Sequence, residues 1–455
     1  MNEVREGSST AAASAVASEA KPGEERLAFG GPIGATAMMV LLPILSVYLW
    51  ICVHMHGGAL VLPSARLLAE FPLPTAASVF WVVAWVTFQL ALNLYLPGRA
   101  YKGLPQRDGR RLVYRLNGFF SLLVTLALLA GLLATGVLRG SAVLDQLGPL
   151  LVTSILFAYL LSAFLYIYGK RYRPPEEPEA NAHVVMQPDG SLALEASQAA
   201  SLDKVAYDYF MGTSLNPRIG KLDLKMFFES KIGMTTWIVL TFLMAHAEYE
   251  REGALSLAMI VVCLFQLAYV VDFFWFEEAM LSTWDINYEN YGFMLAFGFV
   301  VWMPFNFSLQ AQYLVYGAPA LSGLAVVGLV LLNFAGYYIF RSANLQKHRF
   351  KTVPGAKIWG REPEFIQTQR GTRLLAAGWW GLARHCNYLG DLMMALAWCL
   401  ACGFSHIVPY FYFLYFAPLL IDRERRDDHH CAEKYGADWK RYSERVPYRI
   451  IPYVY

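Results

Sequence analysis

The chain reads as an all-α, polytopic integral membrane helix bundle of about ten transmembrane helices, on three observations. Of its 455 residues, 56% are hydrophobic and 15% aromatic, and only 16% are charged, against roughly 25% charged in an ordinary soluble protein. The apolar residues fall in blocks of about 20, the length needed to cross a hydrocarbon core of about 30 Å. The basic residues gather in alternate connections between those blocks, as short loops do when they sort by side of the membrane. The mean hydropathy of +0.37 excludes a disordered chain and a disulfide-stapled secreted domain. A balance of 37 Lys+Arg against 35 Asp+Glu, net +2, excludes the basic surplus that nucleic-acid binding requires.

Residues 1–30 form a polar, Ala/Ser/Glu-rich stretch with Glu3, Glu6, Glu19, Glu24 and Glu25. The basic-then-apolar order of a cleaved signal peptide is missing, so a disordered cytoplasmic tail is expected. The first span runs from Ala35 to Met55, and further spans follow at 76–96, 117–138, 148–169, 234–249, 255–278, 293–316, 321–341, 388–403 and 406–421. The fifth and ninth are the least apolar, the fifth ending in His246 and Glu248 and the ninth containing Asp391. Arg99, Lys102, Arg107, Arg110, Arg111 and Arg115 fill the loop after the second span, and Lys170, Arg171, Arg173, Lys204, Arg218, Lys221, Lys225 and Lys231 the loop after the fourth. The segment 341–386 and the tail after Ile421 are basic too, whereas the alternate loops hold only Arg66, Arg139 and Arg251. The positive-inside rule then places both termini in the cytoplasm, as an even number of spans requires.

Three parts result: the tail 1–30, a membrane part 31–342 with the first eight helices, and a C-terminal part 343–455 with the last two helices and a cytoplasmic tail helix. Residues 170–232 form a cytoplasmic loop whose insert 174–200, opening on Pro174, Pro175, Glu176 and Glu177, reads as a mobile surface stretch.

Cys399 and Cys402 form a C-x-x-C, but at the end of an apolar span and without a βαβ context, so they read as small fillers of a helix bundle. His385, Cys386, His429 and His430 lack zinc spacing, and no metal site is expected. Neither G-x-G-x-x-G after a strand nor G-x-x-x-x-G-K-[ST] occurs, which excludes a Rossmann or P-loop nucleotide site.

Ionisable groups in or beside spans are costly and normally face the bundle interior or a water-filled cavity. The densest such place holds Tyr269, Asp272, Trp275, Phe276, Glu277 and Glu278. Tyr269, Asp272 and Phe276 recur at i, i+3, i+7 and share a helix face. An aromatic, acidic pocket for an apolar substrate that develops positive charge is one reading; pairing of Asp272 or Glu277 with an interfacial Lys is the other. A second group comprises Trp380, Arg384, Asn387, Tyr388 and Asp391, richer in hydrogen-bonding groups than an anchor belt explains. In the tail, Cys431, Tyr435, Trp439, Tyr442 and Val446 make an apolar stripe on a charged helix. Arg423 and Asp427, at i, i+4, suit a plain helix salt bridge. Lys347 and Lys351 leave the eighth span, where basic residues usually meet lipid headgroups.

Together these segments resemble the sterol reductase family that includes delta(14)-sterol reductase, 7-dehydrocholesterol reductase and the membrane domain of the lamin B receptor. The resemblance rests on LNPRIG at 215–220, GFMLAFG at 292–298, SLQAQYL at 308–314 and GYYIFRSANLQK at 336–347. It continues in GWWGLARHCNYLGD at 378–391, HCAEKYGADW at 430–439 and VPYRIIP at 446–452. Within the family, 292–298 and the ending 447–455 are more similar to the delta(14) branch than to the delta(7) branch. Two positions depart from the pattern: Phe299 stands where the family usually has Asp, and Lys351 where Arg is common.

The resemblance implies NADPH, bound by the C-terminal part. Lys347 and Lys351 would meet its phosphates as point charges, joined by Arg423 and Arg384. Trp380, Asn387, Tyr388 and Asp391 would line the nicotinamide and ribose, and Asp427 and Tyr442 would close the pocket. A sterol drawn from the bilayer would lie by Asp272, Trp275 and Glu277. The implied reaction is reduction of the sterol carbon 14–15 double bond, by protonation at carbon 15 and hydride addition at carbon 14, with Tyr269 as proton donor and Asp427 as its electrostatic or relay partner. A Tyr, with an ordinary pKa of about 10, stays protonated at neutral pH and needs such a relay. The same chemistry at carbon 7, and a non-catalytic sterol-binding scaffold, are the alternatives. A bacterial inner membrane and an endoplasmic reticulum fit the sequence equally.

Overall fold

A computed structural model describes residues 28–62, 64, 67, 69–105, 110–172, 183–186, 192–195 and 202–455. Each of the ten apolar blocks is helical: α1 (Gly31–His54), α2 (Ala76–Tyr95), α3 (Gly118–Ala134), α4 (Leu147–Tyr172), α5 (Thr235–Glu252), α6 (Leu257–Trp275), α7 (Phe293–Gly317), α8 (Gly323–Thr352), α9 (Cys386–Leu400) and α10 (Phe411–Tyr435). A tail helix, α11 (Ala437–Arg445), follows. Six of these, α1, α2, α4, α6, α7 and α8, are long and apolar enough to cross a membrane, and α3 and α9 are shorter apolar helices. Helix α10 opens on apolar residues and ends on a charged half from Asp422 to Lys434. The expected tail 1–30 lies outside the described residues up to 27. Of the insert 174–200, the described part is an antiparallel pair, His183–Met186 with Leu192–Glu195.

Helix starts follow local chemistry. Thr75 caps α2 by accepting from the Ser78 amide in a capping box, Ser256 caps α6 and Ser322 caps α8, each satisfying an orphaned backbone donor. Two stretches depart from the α-helical period that continuous apolar runs predict. Phe227–Met234, leading into α5, and Gly298–Asn306, inside α7, are wound as π-helix. Pro304 lies in the second and withholds a backbone donor there. The two π stretches face each other across Gly233, where an added Cβ would stand 2.8 Å from the Met303 sulfur.

A close helix crossing joins α8 and α9. A Cβ on Gly390 would meet the Gly336 carbonyl oxygen at 2.5 Å, and one on Gly336 would meet the Gly390 oxygen at 2.6 Å. In lipid, where apolar burial does not drive helices together, such small residues let backbones pack directly. This crossing sets the end of α8, which carries Lys347 and Lys351, beside the start of α9.

The loop between α6 and α7 is pinned from below. Lys225, fully buried, donates through Nζ to the carbonyls of Asp285 (2.6 Å), Ile286 (3.1 Å) and Glu289 (2.9 Å). The tail stripe is not one helix: at Gly436, with φ of 53°, α10 gives way to α11. Its five residues still meet in one cluster, Trp439, Tyr442 and Val446 with Cys431 and Tyr435, packed on Ala376 and the hairpin strands Phe365–Gln367 and Arg373–Leu375.

Candidate functional site

The end of α8, the start of α9 and the charged half of α10 converge in a polar and aromatic cluster. Lys347 Nζ stands 4.1 Å from the centroid of the Trp380 ring, a cation–π arrangement. Trp380 is fixed by its indole N–H, which donates to the Ala343 carbonyl at 2.7 Å, and the Tyr442 hydroxyl donates to the Trp380 carbonyl at 3.4 Å. Asn387 Nδ2 donates to Asn344 Oδ1 at 3.4 Å, one turn of α8 from Lys347. Arg384 donates through Nη1 to Asp428 (3.1 Å) and to the Ser443 hydroxyl (2.7 Å).

His385, just before α9, bridges to α10: its Nε2 lies 3.1 Å from Asp427 Oδ2, and its ring stacks on Tyr388 at 4.9 Å and 27°. Burial alone would raise the Asp427 carboxyl, but the hydrogen bond from His385, with Lys347 and His430 nearby, holds it below its ordinary value. Arg423 does not pair with Asp427 along the helix. Its Nη2 donates to both oxygens of Asp285 at 2.8 Å, and Arg426 Nη1 donates to Glu289 at 3.2 Å. The loop between α6 and α7 is thereby strapped onto α10.

Deeper in the bundle, Tyr269 of α6 is ringed by aromatic faces, with centroids at 5.5 Å (Trp398), 5.8 Å (Trp237) and 6.5 Å (Phe340). Tyr412 stacks behind Trp398 at 5.4 Å. The carboxyl facing the Tyr269 hydroxyl is that of Asp391; Asp427, expected to partner Tyr269, is held by His385. Because Asp391 lies one turn along α9 from Asn387 and Tyr388, that helix links the polar cluster to the tyrosine.

The predicted face of α6 turns towards α8: Asp272 accepts from the Tyr337 hydroxyl at 2.9 Å and is ion-paired with Arg341, whose guanidinium lies 3.9 Å from the Phe276 centroid. The partner of Asp272 is thus an arginine. Glu277 pairs with a lysine, Lys231, at 3.5 Å and accepts from the Gly118 amide at 2.8 Å. That places it in a separate buried cluster. Trp275, 64% exposed, turns outward against Phe119. Phe299, where the family usually has Asp, is buried beside Tyr291 with centroids 6.0 Å apart. Cys399 and Cys402 are free thiols, buried against Gln310.

Sequence reasoning missed Asp285, Asp428 and Lys434, the last within electrostatic reach of Lys351. It also passed over His385 except as a rejected metal ligand. Three buried polar atoms at the start of α9 have no hydrogen-bond partner among the described residues: Arg384 Nε, His385 Nδ1 and Asn387 Oδ1. Such atoms are expensive in a folded protein, and a polar group brought to them would offset that cost.

Comparison with known proteins places the chain among relatives. The model of the ergosterol biosynthesis ERG4/ERG24 family matches residues 23–455. The chain is 42% identical to the Delta(14)-sterol reductase of Methylotuvimicrobium alcaliphilum, across 94% of this chain and 96% of the relative. It is 41% identical to the Delta(14)-sterol reductase TM7SF2 of Mus musculus, across 94% and 98%. Identity is 37% to the Delta(14)-sterol reductase erg24 of Schizosaccharomyces pombe, across 94% and 97%.

Proposed function

The chain belongs to the ergosterol biosynthesis ERG4/ERG24 family, and from that premise we propose that it is an NADPH-dependent delta(14)-sterol reductase in a multi-pass membrane bundle with both termini cytoplasmic. The observation that carries the reading is the continuity between two sites: a cationic, hydrogen-bonding cluster and an aromatic chamber around Tyr269, joined by one turn of α9.

The residues present fit the cofactor. Lys347 and Lys351 supply cations on successive turns of α8, Arg384 and Arg423 add guanidinium groups, and the unpartnered atoms at 384–387 await polar contacts. Trp380, Asn387, Tyr388, Asp391, Asp427 and Tyr442 complete the walls. When bound, NADPH supplies the hydride.

An isolated alkene is not electrophilic, so protonation must come first. Tyr269 holds a hydroxyl proton for carbon 15 of the sterol, and Asp391 beside it is placed to return that proton. The positive charge then left at carbon 14 lies among the π faces of Trp237, Trp398 and Phe340 and near carboxyl groups, which favour it over water's loose dipoles. Asp427 orients and charges the polar cluster one step back. The test assays one membrane preparation with NADPH against a delta(8,14) sterol and a delta(5,7) sterol, read by product mass and retention. Saturation of the 14–15 bond alone supports the proposal; reduction of the 7–8 bond alone moves the chain to the other branch.

A further inference from the structure

We propose that His385 is a cofactor-contact residue whose Nδ1 accepts a hydrogen bond from the carboxamide group of the nicotinamide; the inference rests on the NADPH reading above and deepens it. The imidazole is held on every side but one. Its backbone N–H donates to the Arg449 carbonyl at 2.7 Å, its face lies on Tyr388 and its Nε2 meets the Asp427 carboxylate. A carboxylate only accepts, so Nε2 carries a proton; with that as the ring's one N–H, Nδ1 is an acceptor. The side chain is 8% exposed, and this nitrogen has no partner among the described residues.

The neighbours define what fits. Asn387 spends its amide N–H on Asn344 and leaves Oδ1, a second acceptor, buried and unpartnered. Arg384 leaves Nε, a donor, in the same condition. Two acceptors and one donor within four residues complement the two N–H groups and one carbonyl of a primary carboxamide. The nicotinamide end of the dinucleotide carries such a group, and it is the end that must come near Tyr269. An imidazole fixed by Asp427 and Tyr388 would set which face of the ring turns toward the sterol.

The experiment uses the purified full chain in detergent and measures binding by quenching of tryptophan fluorescence. The probes are NADPH and its reduced 3-acetylpyridine analogue, which keeps the carbonyl and lacks the amide N–H. Wild type should prefer NADPH by about tenfold, the scale of one hydrogen bond lost from a buried acceptor. His385→Phe, which keeps a ring on Tyr388, should lose affinity for NADPH and hold its affinity for the analogue, so that the preference narrows severalfold. His385→Gln, with an acceptor restored, should regain part of the preference. Undiminished preference in His385→Phe overturns the proposal, as does an equal loss of both probes there, which would make His385 merely structural. If wild type binds neither probe, the NADPH reading itself falls.

Discussion

Tyr269 carries the proton in this account, and its surroundings make the role separable from cofactor binding, because the residues of the polar cluster lie on other helices. Tyr269→Phe should lower sterol reduction by about 10²–10⁴-fold, the usual worth of a general acid. Dinucleotide affinity should stay at the wild-type value, checked by product formation and fluorescence titration of the same sample. Asp427 gives a pH signature. A carboxyl held below its ordinary value of about 3.9 contributes stability above that value and loses it as the pH falls through the lowered one. Unfolding profiles of wild type and Asp427→Asn should therefore run parallel above about pH 5, and wild type should lose stability faster below about pH 4. Lys347 and Trp380 were legible because each stands in a run shared with a family, and Tyr442 because it belongs to the apolar stripe of the tail. Their partners were not: Asp285 and Arg423, or Asp391 and Tyr269, are far apart in sequence, and nothing local announces a contact made by tertiary packing.

Among elements, the α8–α9 crossing is the joint on which the polar cluster depends. Gly390→Ala would drive a methyl group to 2.5 Å from the Gly336 oxygen and the Phe340 nitrogen, both backbone atoms that cannot rotate away. The helices must part, at a cost of about 1–3 kcal/mol, seen as a lower melting temperature and weaker dinucleotide binding. Lys225→Met tests the loop between α6 and α7. Three carbonyls would lose a charged donor, a loss on the order of 3 kcal/mol, and limited proteolysis should open first near Asp285. Helix positions were readable from the length of the apolar blocks. The π windings were not, because one extra residue per turn leaves composition unchanged, and the break at Gly436 was hidden by a stripe that resumes across it.

Over the whole molecule, hydropathy located every long helix, since a chain in lipid must satisfy its backbone internally. Length alone did not settle which of them cross, because α10 continues as a charged rod beyond its apolar start and α5 ends in Glu248, Glu250 and Glu252. Reporter tags at the two ends of the chain should both be digested from the cytoplasmic side of sealed vesicles; protection of either one would redraw the topology. The strap between the α6–α7 loop and α10 has a consequence for how the polar cluster meets ions. Arg423 already shares its charge with Asp285, and Arg426 with Glu289 and Asp422, so an arriving anion encounters less uncompensated positive charge than a tally of arginines implies. Added electrolyte, which shortens the reach of exposed charges, should for that reason weaken the wild-type complex only gently, and Asp285→Asn should steepen the dependence.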